Sequence, residues 1–287
     1  MLLSEAVDER LASLLRSGGS KKTAVFYRYW LDDLAGSLMF TELQLVALAD
    51  LRRWTDGLID RKLAIRSRIG AVATVKAFFR WCVREELIAT DPSVRLEKPK
   101  KPKQLPQALD TGDVLALLNA ATTTDNPERD VALLTTMVET GSRLGEIVAM
   151  ALRDLHVDDR YILINGKTGE RFCFFELATQ QSLRAWLKVR PASMGTLFGL
   201  GPTGVRLMLK RLAVLAHIDP KLIHPHVFRH TSVVLRIEGG AEAADLMNIY
   251  GWSSPAMIKV YGQLATDRMM ARSMASSPMA RLRPKAE

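Results

Sequence analysis

Between His224 and Tyr261 the chain reads HPHVFRHTSVVLRIEGGAEAADLMNIYGWSSPAMIKVY, a stretch that offers a histidine, an arginine, an indole and a phenol. His226 and Arg229 are three residues apart and Arg229 and Val233 four, so on a helix they share or border one face. Trp252 adds an N–H donor and Tyr261 a phenol. A metal site is a poor fit, because only one of these four groups is a good ligand and no carboxylate or thiolate is spaced to join it. A phosphate fits better, since it takes a planar arginine fork and neutral donors.

The elements that must hold these groups can be read from their punctuation. Pro225 suits a first helical turn, where its missing N–H is no loss, and Gly239-Gly240 mark that helix's exit. A second helix, roughly Glu242 to Tyr250, stops at Gly251. A third starts after Ser254-Pro255 and carries Tyr261. Upstream, Ser142 is expected to cap a helix from Arg143 to Leu152 on which Arg143 and Glu146 are three apart. The segment YILINGKTGERFCFFEL predicts a small hairpin or three-stranded sheet with Lys167 on its turn.

Composition limits the possible partners. The 287 residues are 48% hydrophobic and 25% charged, with 40 basic against 31 acidic residues and a formal charge of +9. That balance favours a polyanion. Nineteen of the basic residues fall within residues 1–103 against thirteen acidic ones, so most of the excess sits in the smaller part of the chain. Cys82 and Cys173 lie in apolar runs without a CxxC spacing and read as reduced core thiols. No apolar run approaches the ~20 residues of a membrane span, and Glu5, Asp8 and Glu9 argue against a signal peptide. A cytoplasmic, nucleoid-associated protein is expected.

In order, residues 1–95 read as helices. Lys21 to Leu38 forms one, Thr41 is expected to cap another containing Leu43, Leu45, Val46 and Leu48, and Ile65 to Leu87 carries the clearest three- and four-residue periodicity. Lys21, Lys22, Arg61, Lys62, Arg66 and Arg68 are expected around helix starts, where they oppose the helix dipole unless an anion arrives. Residues 96–109 form a proline-rich linker in which Lys98, Lys100, Lys101 and Lys103 are placed to track a phosphate backbone. Beyond it, Thr111 to Asn119, Glu128 to Glu139, Thr179 to Val189 and Gly204 to Ala216 read as helices.

Taken in order, these boxes resemble those of the tyrosine recombinase (phage integrase) family, simple two-domain bacterial and phage type. TGSRLGEI looks like the first arginine box, NGKTGERFCFFEL like the hairpin that carries the catalytic lysine, PHVFRHT like the His-x-x-Arg-His box and YGWSSPAMIKVY like the box ending in the nucleophile. Helices, the ATDP turn and the PKKPKQLP linker extend the likeness over nearly the whole chain. The resemblance implies a mainly α protein: a helical core-binding domain (1–95), a basic linker (96–109) and a mixed α/β catalytic domain (110–287) with a small β-hairpin sheet. It implies Arg143, Lys167, His226, Arg229, Trp252 and Tyr261 as catalytic residues with Glu146 in support, and no cofactor or metal. Double-stranded DNA with inverted-repeat sites is the expected partner. The expected assembly is a homotetramer on two sites, with room for a related partner recombinase. Where most members have histidine, this chain has Trp252, which can donate one hydrogen bond but cannot move a proton.

The chemistry is coherent on the residues themselves. Attack on a phosphodiester places charge on its non-bridging oxygens, which two arginines can clamp. A phenol with pKa ~10 must lose its proton in that attack. His226 is the expected base, Lys167 the acid for the departing 5′ oxygen, and Glu146 the group that orients Arg143. Taken singly each residue has a plainer reading: Arg143 as a surface partner of Glu146, Trp252 as core, Tyr261 as a helix aromatic. His230 reads as a buried structural hydrogen-bonding residue, and His224 with Pro225 as cap and first turn. Three other readings stand beside recombination: a type IB topoisomerase-like enzyme, a catalytically silent DNA-binding protein and a metal-dependent nuclease. MMARSM, after Tyr261, is expected as a short helix docking on a neighbouring subunit.

Overall fold

Apolar residues at three- and four-residue steps along Ile65–Arg84 organise the first part of the chain: Val72, Val75, Phe78, Phe79 and Cys82 are all buried on one face. The computed structural model describes residues 1–39, 41–100, 106–166, 169–262 and 266. It divides into two units, Met1–Lys103 and Gln104–Glu287. Among the described residues no helix is long and apolar enough to cross a membrane.

The first unit packs α1 (Leu3–Arg16), α2 (Lys21–Ser37), α3 (Leu48–Asp60) and α4 (Ile65–Arg84) around Leu31, Leu34, Leu51, Leu58 and the α4 stripe. Each such fully buried Leu or Phe contributes about 1.5–3 kcal/mol relative to exposure. Ser20 accepts a hydrogen bond from the Thr23 amide and opens α2. Lys76 Nζ donates to the carbonyls of Val94 and Leu96, at 2.9 and 2.8 Å, and fixes the end of the unit.

Two expectations fail here for identifiable reasons. Thr41 does not cap a helix: its hydroxyl donates to the Leu38 carbonyl, its own carbonyl accepts from Leu3, and the Leu43 amide donates to Met1. Those bonds to the start of the chain leave only a 3₁₀ turn, Leu43–Leu45. The helix begins at Leu48, where the Asp50 carboxylate accepts from the Ala47 amide. Arg61 and Lys62 sit at the C-terminal end of α3, where the helix dipole favours cations. Arg61 also grips Asp33 with two nitrogens, at 2.7 and 2.9 Å, while Trp54 Nε1 donates to the same carboxylate. The Arg61 hydrogen bond is the largest influence on Asp33 and, with Trp54, holds its carboxyl below the usual range despite burial.

Lys21 and Lys22 do stand in the first turn of α2, and Arg66 and Arg68 in that of α4. Neither turn contains an acidic residue. Lys21, Lys22, Arg66, Lys98 and Lys100 are exposed. Arg68 is half-buried, with an Nε that has no hydrogen-bond partner. Lys101 and Lys103 lie outside the described residues, as does MMARSM.

The second unit contains α5 (Thr111–Ala121), α6 (Pro127–Thr140), α7 (Leu144–Ala149), α8 (Leu177–Val189), α9 (Pro202–Leu215), α10 (Pro225–Glu238) and α11 (Ala243–Tyr250). Residues 256–262 are again helical. A three-stranded antiparallel sheet, β1 (Leu155–His156), β2 (Tyr161–Gly166) and β3 (Gly169–Phe174), lies in the order β1-β2-β3. Alternation sends Ile162, Ile164 and Cys173 into the core and leaves Phe172 and Phe174 exposed. α7 is shorter than expected, and Ser142 is not its cap. The Ser142 hydroxyl pairs with Thr140 at 2.8 Å, and Arg143 is the capping position. The Asp154 carboxylate accepts from the Ala151 amide and starts a separate 3₁₀ turn, Leu152–Asp154, which breaks the expected helix.

Candidate active site

Two left-handed glycines frame the site. Gly141 (φ 54°) ends α6 and Gly251 (φ 60°) ends α11. A side chain at Gly141 is excluded twice over, because a Cβ there would lie 2.5 Å from the Tyr250 ring. The main chain exposed at these ends holds Arg229 of α10: Nη1 donates to the Gly141 carbonyl at 2.9 Å and Nη2 to the Tyr250 carbonyl at 2.7 Å. Arg229 is buried, with its guanidinium 5.0 Å from the Tyr250 ring centroid and 6.0 Å from that of Trp252. Burial first, then Arg143 and Arg171, lower it to about 10, so it remains a cation at neutral pH.

Arg143 is tied to Glu146 at both ends. Glu146 Oε2 accepts from the Arg143 amide at 2.8 Å and Oε1 from its guanidinium at 2.9 Å. The opposite side of Glu146 is occupied by Arg171, whose Nη2 and Nη1 donate to Oε2 and Oε1 at 2.6 and 3.2 Å. Arg171 Nε donates to the Ile249 carbonyl at 2.8 Å, which joins β3 to the end of α11. Burial alone would raise the Glu146 carboxyl; the bonds from Arg171, the Arg143 amide and the Arg143 guanidinium outweigh it and hold the group below its usual range. Arg171 was not singled out from the sequence. The signal was slight: an arginine at an inward-facing register of a strand, two residues before buried Cys173.

The aromatic groups form a stack. Trp252 lies 5.1 Å from the Tyr250 ring and 5.8 Å from that of Tyr261, at interplanar angles of 29° and 12°. Tyr250 is anchored in turn by a 2.7 Å hydrogen bond between its hydroxyl and Ser232. Tyr261 is 1% exposed, and its hydroxyl oxygen is 2.6 Å from His230 Nδ1. Burial raises the phenol above its ordinary value, against the pull of Arg229. His224 caps α10 by accepting the Val227 amide on Nδ1. His226, exposed on the first turn, stacks toward His230 with centroids 6.4 Å apart. The structure thus brings Arg143, Glu146, His226, Arg229, Trp252 and Tyr261 into one region, and adds Arg171 and His230. Lys167 lies outside the described residues, between the paired Gly166 and Gly169 in sequence. Among the described residues no cluster of three His, Cys, Asp or Glu side chains is placed to hold a metal.

A model of the phage integrase family matches residues 107–268, more than half of the chain and the whole of this site. The chain belongs to the phage integrase family. Its similarity to curated members extends beyond that segment. Tyrosine recombinase XerC of Corynebacterium efficiens is 28% identical over 280 residues, spanning 93% of this chain and 89% of that protein. Tyrosine recombinase XerD of Vibrio vulnificus is 27% identical over 277 residues, 90% of each. XerC of Alcanivorax borkumensis is 30% identical over 207 residues, 67% of each.

Solved structures share the fold of this integrase-family chain. The Tn1549 transposon integrase in complex with transposon right end DNA aligns with a TM-score of 0.77 and 16% identity, covering 96% of this chain and 100% of that one. A lambda integrase dimer bound to a COC′ core site aligns at 0.74 and 18%, covering 91% and 95%. XerH bound to a palindromic difH substrate aligns at 0.75 and 17%, covering 92% and 81%. The protein therefore has the two-domain, bacterial and phage-type architecture: a helical N-terminal bundle and a C-terminal mixed α/β domain with a small sheet.

Proposed function

We propose that the protein is a site-specific DNA recombinase that cuts and rejoins duplex DNA through a 3′-phosphotyrosyl intermediate on Tyr261. The charge balance around Arg229 carries this reading. Arg143 and Arg171 are close enough to depress it, and Glu146 is the carboxylate that opposes them. Arg229 itself donates to neutral carbonyls. A phosphodiester supplies the missing negative charge.

In the proposed reaction the Tyr261 phenol gives up its proton to a histidine of α10 as its oxygen attacks phosphorus, the phosphorus–5′ oxygen bond breaks, and the departing oxygen takes a proton from Lys167. Arg143 and Arg229 neutralise the charge that builds on the non-bridging oxygens, and His226 meets the phosphate from the exposed first turn of α10. Trp252 packs the nucleophile helix and can donate one hydrogen bond. The phosphotyrosine ester keeps the energy of the broken bond, so a new 5′ hydroxyl can reverse the step without a nucleotide. Exchange through a Holliday junction requires two duplexes, for which a homotetramer on inverted-repeat sites is proposed, with or without a related partner recombinase. The relatives described above, seen on core-site, transposon-end and palindromic DNA, support that choice of partner. Lys21, Lys22, Arg66, Arg68, Lys98, Lys100, Lys101 and Lys103 are the proposed backbone contacts.

The test is a trapping assay in chelator, with nicked suicide duplexes tiled from DNA flanking the gene. Wild type should form a protein–DNA adduct stable in denaturing gels, and Tyr261→Phe none. An adduct with Tyr261→Phe sinks the assignment. Adducts that relax one duplex but never exchange strands favour the topoisomerase reading.

A further inference from the structure

Proton loss from the phenol needs an acceptor, and the imidazole of His230 is already on the hydroxyl, with Nδ1 2.6 Å from the phenolic oxygen. The two rings are 5.5 Å apart and inclined at 39°, while Trp252 covers the Tyr261 ring. With Tyr261 1% exposed, bulk water has little access to that oxygen. His230 lies one helical turn beyond His226 on α10 and one residue after Arg229, so the histidine, the phosphate-clamping arginine and the nucleophile are held as one unit.

The direction of the hydrogen bond follows from the surroundings. Burial, then His226, His224 and Arg229, lower His230 to about 4, which makes it neutral at physiological pH. Burial keeps the phenol protonated. The hydroxyl therefore donates, Nδ1 accepts, and the ring proton resides on Nε2.

We propose that His230 is a catalytic residue: it holds the Tyr261 hydroxyl and accepts its proton as the phenolic oxygen attacks phosphorus. This rests on the recombinase reading and moves the base from His226 to its neighbour one turn on. The step balances simply. The O–H bond breaks with its proton going to Nδ1, the oxygen–phosphorus bond forms, the phosphorus–5′ oxygen bond breaks, and the departing oxygen is protonated by a separate group. On rejoining, the imidazolium returns its proton to the phenolate. Of the positive groups that, after burial, depress His230 (His226, then His224, then Arg229), His226 and Arg229 are the two proposed to face the phosphate. An anion beside them offsets their effect and raises the basicity of the imidazole. Proton uptake is thereby linked to the presence of DNA.

Two measurements test the assignment. Nitrogen-15 NMR of histidine-labelled protein at neutral pH, without DNA, should show His230 neutral with its proton on Nε2; a protonated Nδ1 overturns the proposal. In single-turnover adduct formation on the nicked flanking duplex that traps wild type, His230→Asn should slow cleavage by about a hundredfold or more. The same loss is expected with sulphur in place of the bridging 5′ oxygen, because sulphur departs without a proton. Rescue by sulphur would place His230 on the leaving-group side and overturn the proposal. A fluorinated tyrosine at position 261, more acidic than tyrosine, should restore part of the rate to His230→Asn, which misfolding would not allow. If His230→Asn is undiminished while Tyr261→Phe is inert, this inference fails and the recombinase reading stands; an adduct with Tyr261→Phe removes the reading itself.

Discussion

Arg171 and Glu146 meet as a two-pronged ion pair in which both side chains are less than a tenth exposed, and the same carboxylate also receives Arg143. A buried pair is costly to break from one side, because the remaining charge keeps its desolvation penalty. Arg171→Ala is therefore expected to lower stability by about 3–5 kcal/mol. Arg171→Lys should recover part of that, since it restores the charge without the planar fork. Guanidinium unfolding of the three proteins checks the order; equal midpoints would contradict it.

Gly141 makes a second sharp prediction. Gly141→Ala must hold an alanine at φ 54° with its Cβ against the Tyr250 ring. The backbone strain alone costs about 1–3 kcal/mol. Since Arg229 donates to this residue's carbonyl, adduct formation should fall further than the stability loss explains. Comparing cleavage rates at a temperature where both proteins are fully folded separates the two effects.

Acid should destabilise the protein in two stages. His230 is depressed to about 4 in the folded chain, against 6.5 when unfolded, so the unfolded state binds more protons between those values and stability falls as pH drops through that window. His224 is shifted in the same direction. Glu146 and Asp33, held below their ordinary values, contribute stability above about 4.5 that is lost as pH falls further. Denaturant midpoints from pH 7 to pH 3 should show both declines, and His230→Asn should flatten the first.

Both thiols should be silent in the native protein. Burial pushes Cys82 up to about 12 and Cys173 to about 11, and neither is disulfide-bonded. The thiolate is the reactive form. A thiol-specific disulfide reagent at pH 8 should label almost nothing until denaturant is added, then two groups per chain. Rapid native labelling would contradict the packing of α4 or β3.

The exposed cations at the starts of α2 and α4 should govern non-specific DNA affinity. Each of Lys21→Ala, Lys22→Ala and Arg66→Ala is expected to weaken binding by a similar factor for every duplex and to reduce the salt slope by about one. Fluorescence anisotropy from low to moderate salt measures both; an unchanged slope would remove that residue from the interface.

What the sequence disclosed was mostly local. Pro225 at a first turn and Gly251 at a helix end act through their own backbone geometry, so α10 and α11 were readable to within a residue or so. The errors came from distant partners. Residues 41–47 lost their expected helix because Leu43 and Thr41 bond to the start of the chain. Arg171 was passed over because its partners are distant, Glu146 25 residues away and the Ile249 carbonyl 78. His230 was seen but read as structural, because its contact depends on how α10 and residues 256–262 pack together.

Trp252 shares its face with Tyr261 and lies within reach of the Arg229 cation, so its emission is an optical gauge of the proposed nucleophile. Trp30, Trp54, Trp81 and Trp186 are buried elsewhere in the chain. With those four replaced by phenylalanine, a single indole would report, in real time and without a label, when the tyrosine leaves its stack.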